Sequence, residues 1–328
     1  MPLNRDEFLH RAPLGVGLPS VLMLQPLEEH VMNWLSERHS IELAPELVHD
    51  RKALLDRLSG ARALFVPPAV RVDARVLLHA PLLRVVACVC EGAENIDTEA
   101  CERAGVAVVR PGAATAQSEA EFMIGALLAL LRRVPVADAD GMRVGRELGS
   151  LTVGLIGMSS AARATARLLG AFGSRIVGYE PSVHASAGAW ESWGVKPLPL
   201  RDLLAQSDAV CVQLGDFSRY RRLLGDRLLP GCKPDQVIVS ISHADVFDEH
   251  VLGQLLRSGR IAAAWLDSVA AGSLAEGRPL HGLGTLQTTP RLASTTRQSR
   301  SRSAWWVARR LDALLAAAPA RVAEASAA

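Results

Sequence analysis

The sequence predicts a two-domain α/β protein whose sheets are mostly parallel and covered by helices. Three observations carry that prediction. Short β-branched or apolar runs alternate along the chain with longer stretches of helical period. Most of the runs are too apolar for strands with one solvated face, so both sheet faces are expected to be covered. A chain of 328 residues, 49% of them hydrophobic, can bury far more than a minimal core, and its length suits two domains of ordinary size.

In chain order, strands are expected at 20–24, 63–66, 83–89, 106–109, 152–156, 175–179, 209–214, 237–241 and 262–266. A long helix over 119–133, opened by Ser118 as N-cap and ended near Pro135, is the expected bridge between lobes. The polar, glycine-containing segment 135–149 reads as a surface connection. Trp190 and Trp193, three apart, mark one helical face. A second helix is expected over 301–315, with Trp305 and Trp306 in packing or in a subunit contact. Arg297, Arg300 and Arg302 read as a solvated basic face. The alanine-rich tail from 316 offers little to bury, and fraying is expected there.

Composition excludes several function classes. There are 36 basic and 34 acidic side chains, a formal charge of +2, scattered rather than gathered into a cationic block. That argues against nucleic acid or a membrane surface as the main partner. No stretch of about twenty apolar residues is present, and the opening residues 1–20, interrupted by Asp6, Glu7 and Pro13, do not read as a targeting segment. The expected setting is therefore cytoplasmic. The five cysteines are odd in number and sit mostly in apolar runs, as buried thiols of a reducing compartment do; Cys88-x-Cys90 lacks two further ligands for a metal.

The chemistry begins at 151–181, LTVGLIGMSSAARATARLLGAFGSRIVGYEP. A strand, a tight turn of small residues, an amphipathic helix and a second strand ending in an acid form a Rossmann-type mononucleotide-binding unit. In G-x-G-x-x-G the glycines allow the turn, the approach of backbone to pyrophosphate, and helix-strand packing; here those positions are Gly157, Ser159 and Ala162. Taken alone, a turn so altered is also what any α/β protein can contain. A helix N-terminus still offers amides and a dipole to phosphate, with Met158, Ser159, Ala161 and Ala162 around it. Glu180, followed by Pro181, can accept hydrogen bonds from ribose hydroxyls and would repel a 2′-phosphate. NAD is the expected cofactor, with NADH preferred over NADPH.

From about 83 to 294 the order of motifs resembles the D-isomer-specific 2-hydroxyacid dehydrogenases. Glu91-Gly92-Ala93-Glu94-Asn95-Ile96-Asp97 resembles the substrate loop of that family, and Ser118-Glu119-Ala120-Glu121 the opening of its interdomain helix. Ala264-Trp265-Leu266-Asp267 resembles its Leu-Asp-Val strand, and Thr289-Pro290 its Pro-His turn. The resemblance implies a flavodoxin-like substrate domain over 1–117 and 296–328 and a Rossmann-type cofactor domain over 118–295. It also implies an active site in the cleft between them, and a homodimer. It adds Ser242 and Asp267 to the cofactor-binding set, Asp267 near the nicotinamide carboxamide, and places Glu91, Gly92 and Ala93 at a small-molecule substrate.

The sequence departs from that family where the chemistry is done. The family's Arg-Gly-x-x-Val-Asp is here His243-Ala244-Asp245-Val246-Phe247-Asp248; its glutamate is matched by Gly272 and its histidine by Arg291. Three readings follow. His243 and Arg291 have exchanged roles, the imidazole handling the proton and the guanidinium the carboxylate, with Asp245 or Glu276 orienting the imidazole. Alternatively, hydride transfer is lost and the protein is a cofactor- or ligand-binding module, since losing all three groups costs many kcal/mol of transition-state stabilisation. In the third, a different reaction runs in the same cleft, with Glu91 facing a cationic or amide-bearing group.

Overall fold

The computed structural model describes residues 20–89, 95–137, 139–215, 217–270 and 272–317. The expectations for the opening stretch, for Cys90, for Glu91, Gly92 and Ala93, and for most of the alanine-rich tail fall outside these residues. The chain divides after Ala114 and again after Ser299 into two compact units. Among the described residues no helix is long and apolar enough to cross a membrane.

Among the described residues the first unit holds five parallel strands: β1 (Val21–Met23), β2 (Ile41–Leu43), β3 (Ala63–Phe65), β4 (Val85–Ala87) and β5 (Ala107–Val109), in the order β2-β1-β3-β4-β5. That is the flavodoxin-like winding. Alternation along each strand sends successive side chains to opposite faces. Val21, Met23, Ala63, Phe65 and Val85 join Val307 and Leu311 of the last helix, Arg297–Ala316, on one face. Leu22, Leu64 and Val86 meet Leu54, Leu58 and Val76 on the other. Asp50, Asp73 and Asp97 cap the helices Arg51–Arg57, Ala74–Leu78 and Thr98–Arg103 by accepting first-turn amides. Trp305 packs edge-on to Trp34, while Trp306 stays exposed beside Gly112.

The second unit opens with α1 (Ala116–Arg133). The helix starts three residues earlier than expected, because Ser118 is not its cap. Ser118 is buried inside the helix, and its hydroxyl donates to Ala293 O at 2.6 Å. The segment expected to be a plain connection carries a small antiparallel ladder, β6 (Val136–Ala137) with β7 (Arg143–Val144). Seven parallel strands follow: β8 (Thr152–Ile156), β9 (Arg175–Tyr179), β10 (Lys196–Pro197), β11 (Ala209–Val212), β12 (Gln236–Ser240), β13 (Ile261–Leu266) and β14 (Leu286–Thr288), in the order β10-β9-β8-β11-β12-β13-β14. β2, β10 and β14, with two or three residues each, were not among the expected strands.

Sheet order decides where a ligand can sit. From β8 the chain winds outward through β9 and β10, then returns to the other side of β8 as β11. The carboxyl ends of β8 and β11 therefore flank a topological switch point, where crossover connections leave in opposite directions and open a crevice. One face of this sheet is covered by Met123, Leu127 and Leu130 of α1 together with Ala162, Ala166 and Leu169 of α2 (Ser160–Phe172). Trp190 is buried on that face, edge-on to Trp193, as their spacing predicts.

Candidate active site

Gly157 ends β8 at φ +90°, a conformation that L side chains rarely adopt. A Cβ there would stand 2.6 Å from Gln213 O, at the end of β11. Glycine is thus required twice over, by its own torsion and by the approach of the neighbouring strand. Met158 is buried, and Ser159 caps α2 with its hydroxyl accepting from Ala162 N at 3.2 Å. The Ser159 hydroxyl proton remains available to a ligand. So do the amides of Ser160 and Ala161, the first-turn donors that have no carbonyl a turn earlier in the helix. Ala161 and Ala162 are buried, their small side chains letting α2 lie close on the sheet.

Glu180, just past β9, is tied to this turn. One carboxylate oxygen accepts from Met158 N at 3.0 Å; the other accepts from Ser182 N at 3.1 Å and Ser182 Oγ at 2.8 Å. Partial burial, the largest single influence, would raise its pKa, but the Met158 and Ser182 hydrogen bonds and the charge of Arg219 together hold it below the ordinary value of 4.5. The charge at this position therefore persists through mildly acidic pH. Pro181 beside it is exposed.

Ser242, past β12, is buried and accepts from Leu214 N at 2.8 Å, which joins the end of β12 to the end of β11. His243 follows and caps the short turn Ala244–Val246, its Nδ1 accepting from Asp245 N at 3.3 Å. A nitrogen that accepts carries no proton, so the neutral ring in this geometry bears its hydrogen on Nε2. The Asp245 carboxylate lies 3.8 Å from Nδ1, and the same oxygen is 3.9 Å from Arg221 Nε. Glu276, the other carboxylate considered for orienting His243, is exposed. Gly272, where the resembled family has its glutamate, adopts φ +79°.

Asp267 ends β13 and is 4% exposed. Its carboxylate accepts from Thr289 Oγ1 at 2.6 Å, Leu292 N at 2.8 Å and Ala293 N at 2.8 Å, and its carbonyl accepts from Arg291 N at 2.6 Å. The 289–293 turn is thus folded around one side chain. Arg291 stands at its apex with φ +55°, a torsion that costs a non-glycine residue on the order of 1 kcal/mol and that these bonds hold in place. Replacing Asp267 by alanine strips three donors of their acceptor, and the expected loss is about 3 kcal/mol or more, near a 6–12 °C fall in Tm by thermal unfolding. An unchanged Tm would show that the turn holds itself.

Gly157, Glu180, Ser242, His243, Asp267 and Arg291 all follow the carboxyl ends of parallel strands in one sheet. Two arginines escaped the sequence reading. Arg163 donates to Met158 O at 3.3 Å and to Ser160 Oγ at 3.2 Å, and Arg219 lies over the Phe217 and Tyr220 rings. The signal for Arg163 was its place one helical turn after Ser160; Arg219 had none, because its position depends on how the loop after β11 folds. The substrate residues Glu91, Gly92 and Ala93 lie outside the described residues.

The sequence model for "D-isomer specific 2-hydroxyacid dehydrogenase, NAD binding domain" matches residues 124–293. The chain belongs to this family. Its NAD-binding domain therefore contains the glycine turn, Glu180, His243, Asp267 and Arg291. The family member is 31% identical over 309 residues to a D-3-phosphoglycerate dehydrogenase of Mycobacterium bovis, covering 92% of this chain but 58% of that protein. It is 28% identical over 296 residues to an (S)-sulfolactate dehydrogenase of Chromohalobacter salexigens, covering 88% of this chain and 96% of the other. In fold it resembles a glyoxylate reductase from Paecilomyes thermophila, with a TM-score of 0.79 at 21% identity, over 92% of this chain and 96% of that one.

Proposed function

We propose that this family member is an NAD(H)-dependent oxidoreductase interconverting 2-oxo and 2-hydroxy acids, with His243 and Arg291 in exchanged roles. The observation that carries the reading is the engagement of His243 Nδ1 by Asp245, which leaves Nε2 as the proton-bearing nitrogen. To deliver a proton the ring starts as the cation, and its Nδ1–H then turns from the Asp245 amide to the Asp245 carboxylate. That carboxylate takes the place of the glutamate lost at Gly272. Arg291, an always-charged fork, pairs with the substrate carboxylate. The nicotinamide ring supplies the hydride when bound. With the hydride so supplied to the carbonyl carbon, His243 would give its proton to the carbonyl oxygen, and the product would be the 2-hydroxy acid.

The residues present fit the cofactor. Gly157 keeps the strand end clear for backbone approach, and the amides of Ser160 and Ala161, with Met158, Ser159, Ala161 and Ala162 shaping the turn, suit a diphosphate. Glu180 and Pro181 would face the adenosine ribose, and Ser242 and Asp267 would support the nicotinamide end. The carboxylate of Glu180 favours NADH over NADPH. The remaining parts of the proposal are a cytoplasmic homodimer, with cofactor held by the unit Thr115–Ser299 and substrate specificity added by the other.

Calorimetric titration of the stripped protein with NADH and NADPH, followed by a panel of 2-oxo acids that includes phosphorylated and sulfonated ones, tests this directly. Micromolar NADH binding, weaker NADPH binding and NADH oxidation with at least one 2-oxo acid are expected. NADH binding without turnover on the panel would favour the binding-module reading.

A further inference from the structure

The carboxylate beside His243 Nδ1 is reached by a second loop, which follows a different strand. Past β11 the chain makes the short turn Ser218–Tyr220 and then runs alongside the residues that follow His243. Arg222 N donates to Asp245 O at 2.6 Å, Leu224 N to Val246 O at 3.0 Å and Asp248 N to Leu224 O at 3.0 Å, with Leu224 and Phe247 paired as in a parallel sheet. Tyr220 and Leu224, on either side of Arg221 and Arg222, are buried in the same core cluster. The backbone that carries the two arginines is therefore fixed against the His243 segment.

The two arginines reach different aspartates. Arg222, at φ +53°, donates through Nε and Nη2 to Asp248, the cap of the helix Glu249–Arg257. Arg221 Nε faces Asp245 Oδ2 at 3.9 Å, and that same oxygen lies 3.8 Å from His243 Nδ1. The Asp245 side chain is 44% exposed, so water competes for its carboxylate, and a fixed, always-charged guanidinium on its far side opposes that competition.

One residue thus offers Nδ1 two alternatives. The Asp245 amide donates to it at 3.3 Å, which leaves the ring hydrogen on Nε2; the Asp245 carboxylate can instead accept a hydrogen from it. A ring that gives its Nε2 proton to a carbonyl oxygen needs the second arrangement. As the new O–H bond forms, the N–H electron pair stays on Nε2 and the ring's positive charge is discharged, so the remaining hydrogen must sit on Nδ1. The reverse transfer starts from that same neutral form.

We propose that Arg221 is a positioning residue for His243: it holds the Asp245 carboxylate beside Nδ1 and so favours the Nδ1–H form that proton transfer at Nε2 requires. The inference rests on the exchanged-role reading above and adds one residue to it.

The test uses the full chain carrying Arg221→Ala, Arg221→Lys, Asp245→Asn, and Arg221→Ala with Asp245→Asn, with thermal unfolding to confirm that each is folded. The probe is the fastest 2-oxo acid of the panel above. Arg221→Ala is expected to lower kcat roughly three- to tenfold, with KM and NADH affinity within about twofold, and Arg221→Lys to recover most of the rate. Asp245→Asn should cost about 10²-fold or more, and adding Arg221→Ala to it should change little, because the arginine acts only through that carboxylate. Nitrogen NMR of histidine-labelled, nucleotide-free protein gives a reading that needs no turnover. The His243 signal, identified by its loss in His243→Asn, should move toward the Nε2–H form in Arg221→Ala and in Asp245→Asn alike, and stay near the wild-type position in Arg221→Lys. An unmoved signal in Arg221→Ala, or an equal loss of kcat from that change with and without the Asp245 carboxylate, would overturn the proposal. Full activity in His243→Asn would instead remove the exchanged-role reading, and this inference with it.

Discussion

Replacing His243 by alanine is expected to lower kcat for 2-oxo acid reduction by about 10²–10⁴-fold while leaving NADH affinity within about twofold. The size follows from removing the proton donor of the chemical step and nothing that holds the nucleotide. Alanine, however, also removes a cap, since His243 Nδ1 accepts the Asp245 amide. Asparagine separates the two effects. Its side-chain oxygen is among the best helix caps and can accept the same amide, but it cannot exchange a proton near neutrality. His243→Asn should therefore fold and bind NADH like the wild type and yet turn over as slowly as His243→Ala, and imidazole added to the His243→Ala protein should restore part of the rate. Stopped-flow or steady-state NADH oxidation reads all three. Full activity in the asparagine variant would remove His243 from the chemistry and end the exchanged-role reading.

Replacing Gly157 by alanine is expected to be the most damaging single-methyl change in the cofactor unit. The new Cβ would meet Gln213 O at 2.6 Å and Gln213 C at 2.9 Å, both backbone atoms that cannot rotate away. The +90° torsion adds its own strain. Together these cost about 3–4 kcal/mol, and relief can come only by moving β8 and β11 apart at the switch point. Tm should fall by roughly 6–16 °C, and NADH affinity by about tenfold or more, because the same displacement spoils the turn that receives the diphosphate. Alanine at Gly170, within α2, where a Cβ meets nothing within 4 Å, is the control and should stabilise or be neutral. Equal Tm values for the two variants would mean that the strand ends are looser than their contacts imply.

The two predictions differ in how far the sequence alone could have led to them. Gly157 was legible because its constraint is local: a glycine between an apolar strand and an amphipathic helix announces a tight turn wherever it occurs. The Rossmann-type winding was legible for a similar reason. Five of its strands, including 152–156 and 175–179, were found at or within two residues of their observed bounds, since a buried parallel strand must be apolar on both faces. Glu180 was placed by its position at the end of the second strand. Each of these readings uses only neighbours in sequence.

What the sequence could not reach was decided by partners far away along the chain. Ser118 has the look of a helix cap, and only the approach of Ala293 turns it into a buried donor inside α1. That Asp267 is also the acceptor around which residues 289–293 are arranged showed only in the fold. The strand β14, not expected from the sequence, pairs along the edge that β13 offers. Periodicity and turn chemistry are properties of a few consecutive residues, and they determined the fold class, the winding and the glycine turn. Hydrogen-bond partners and charge neighbours are properties of the folded chain, so the roles of the side chains around that turn were settled only when the strands came together.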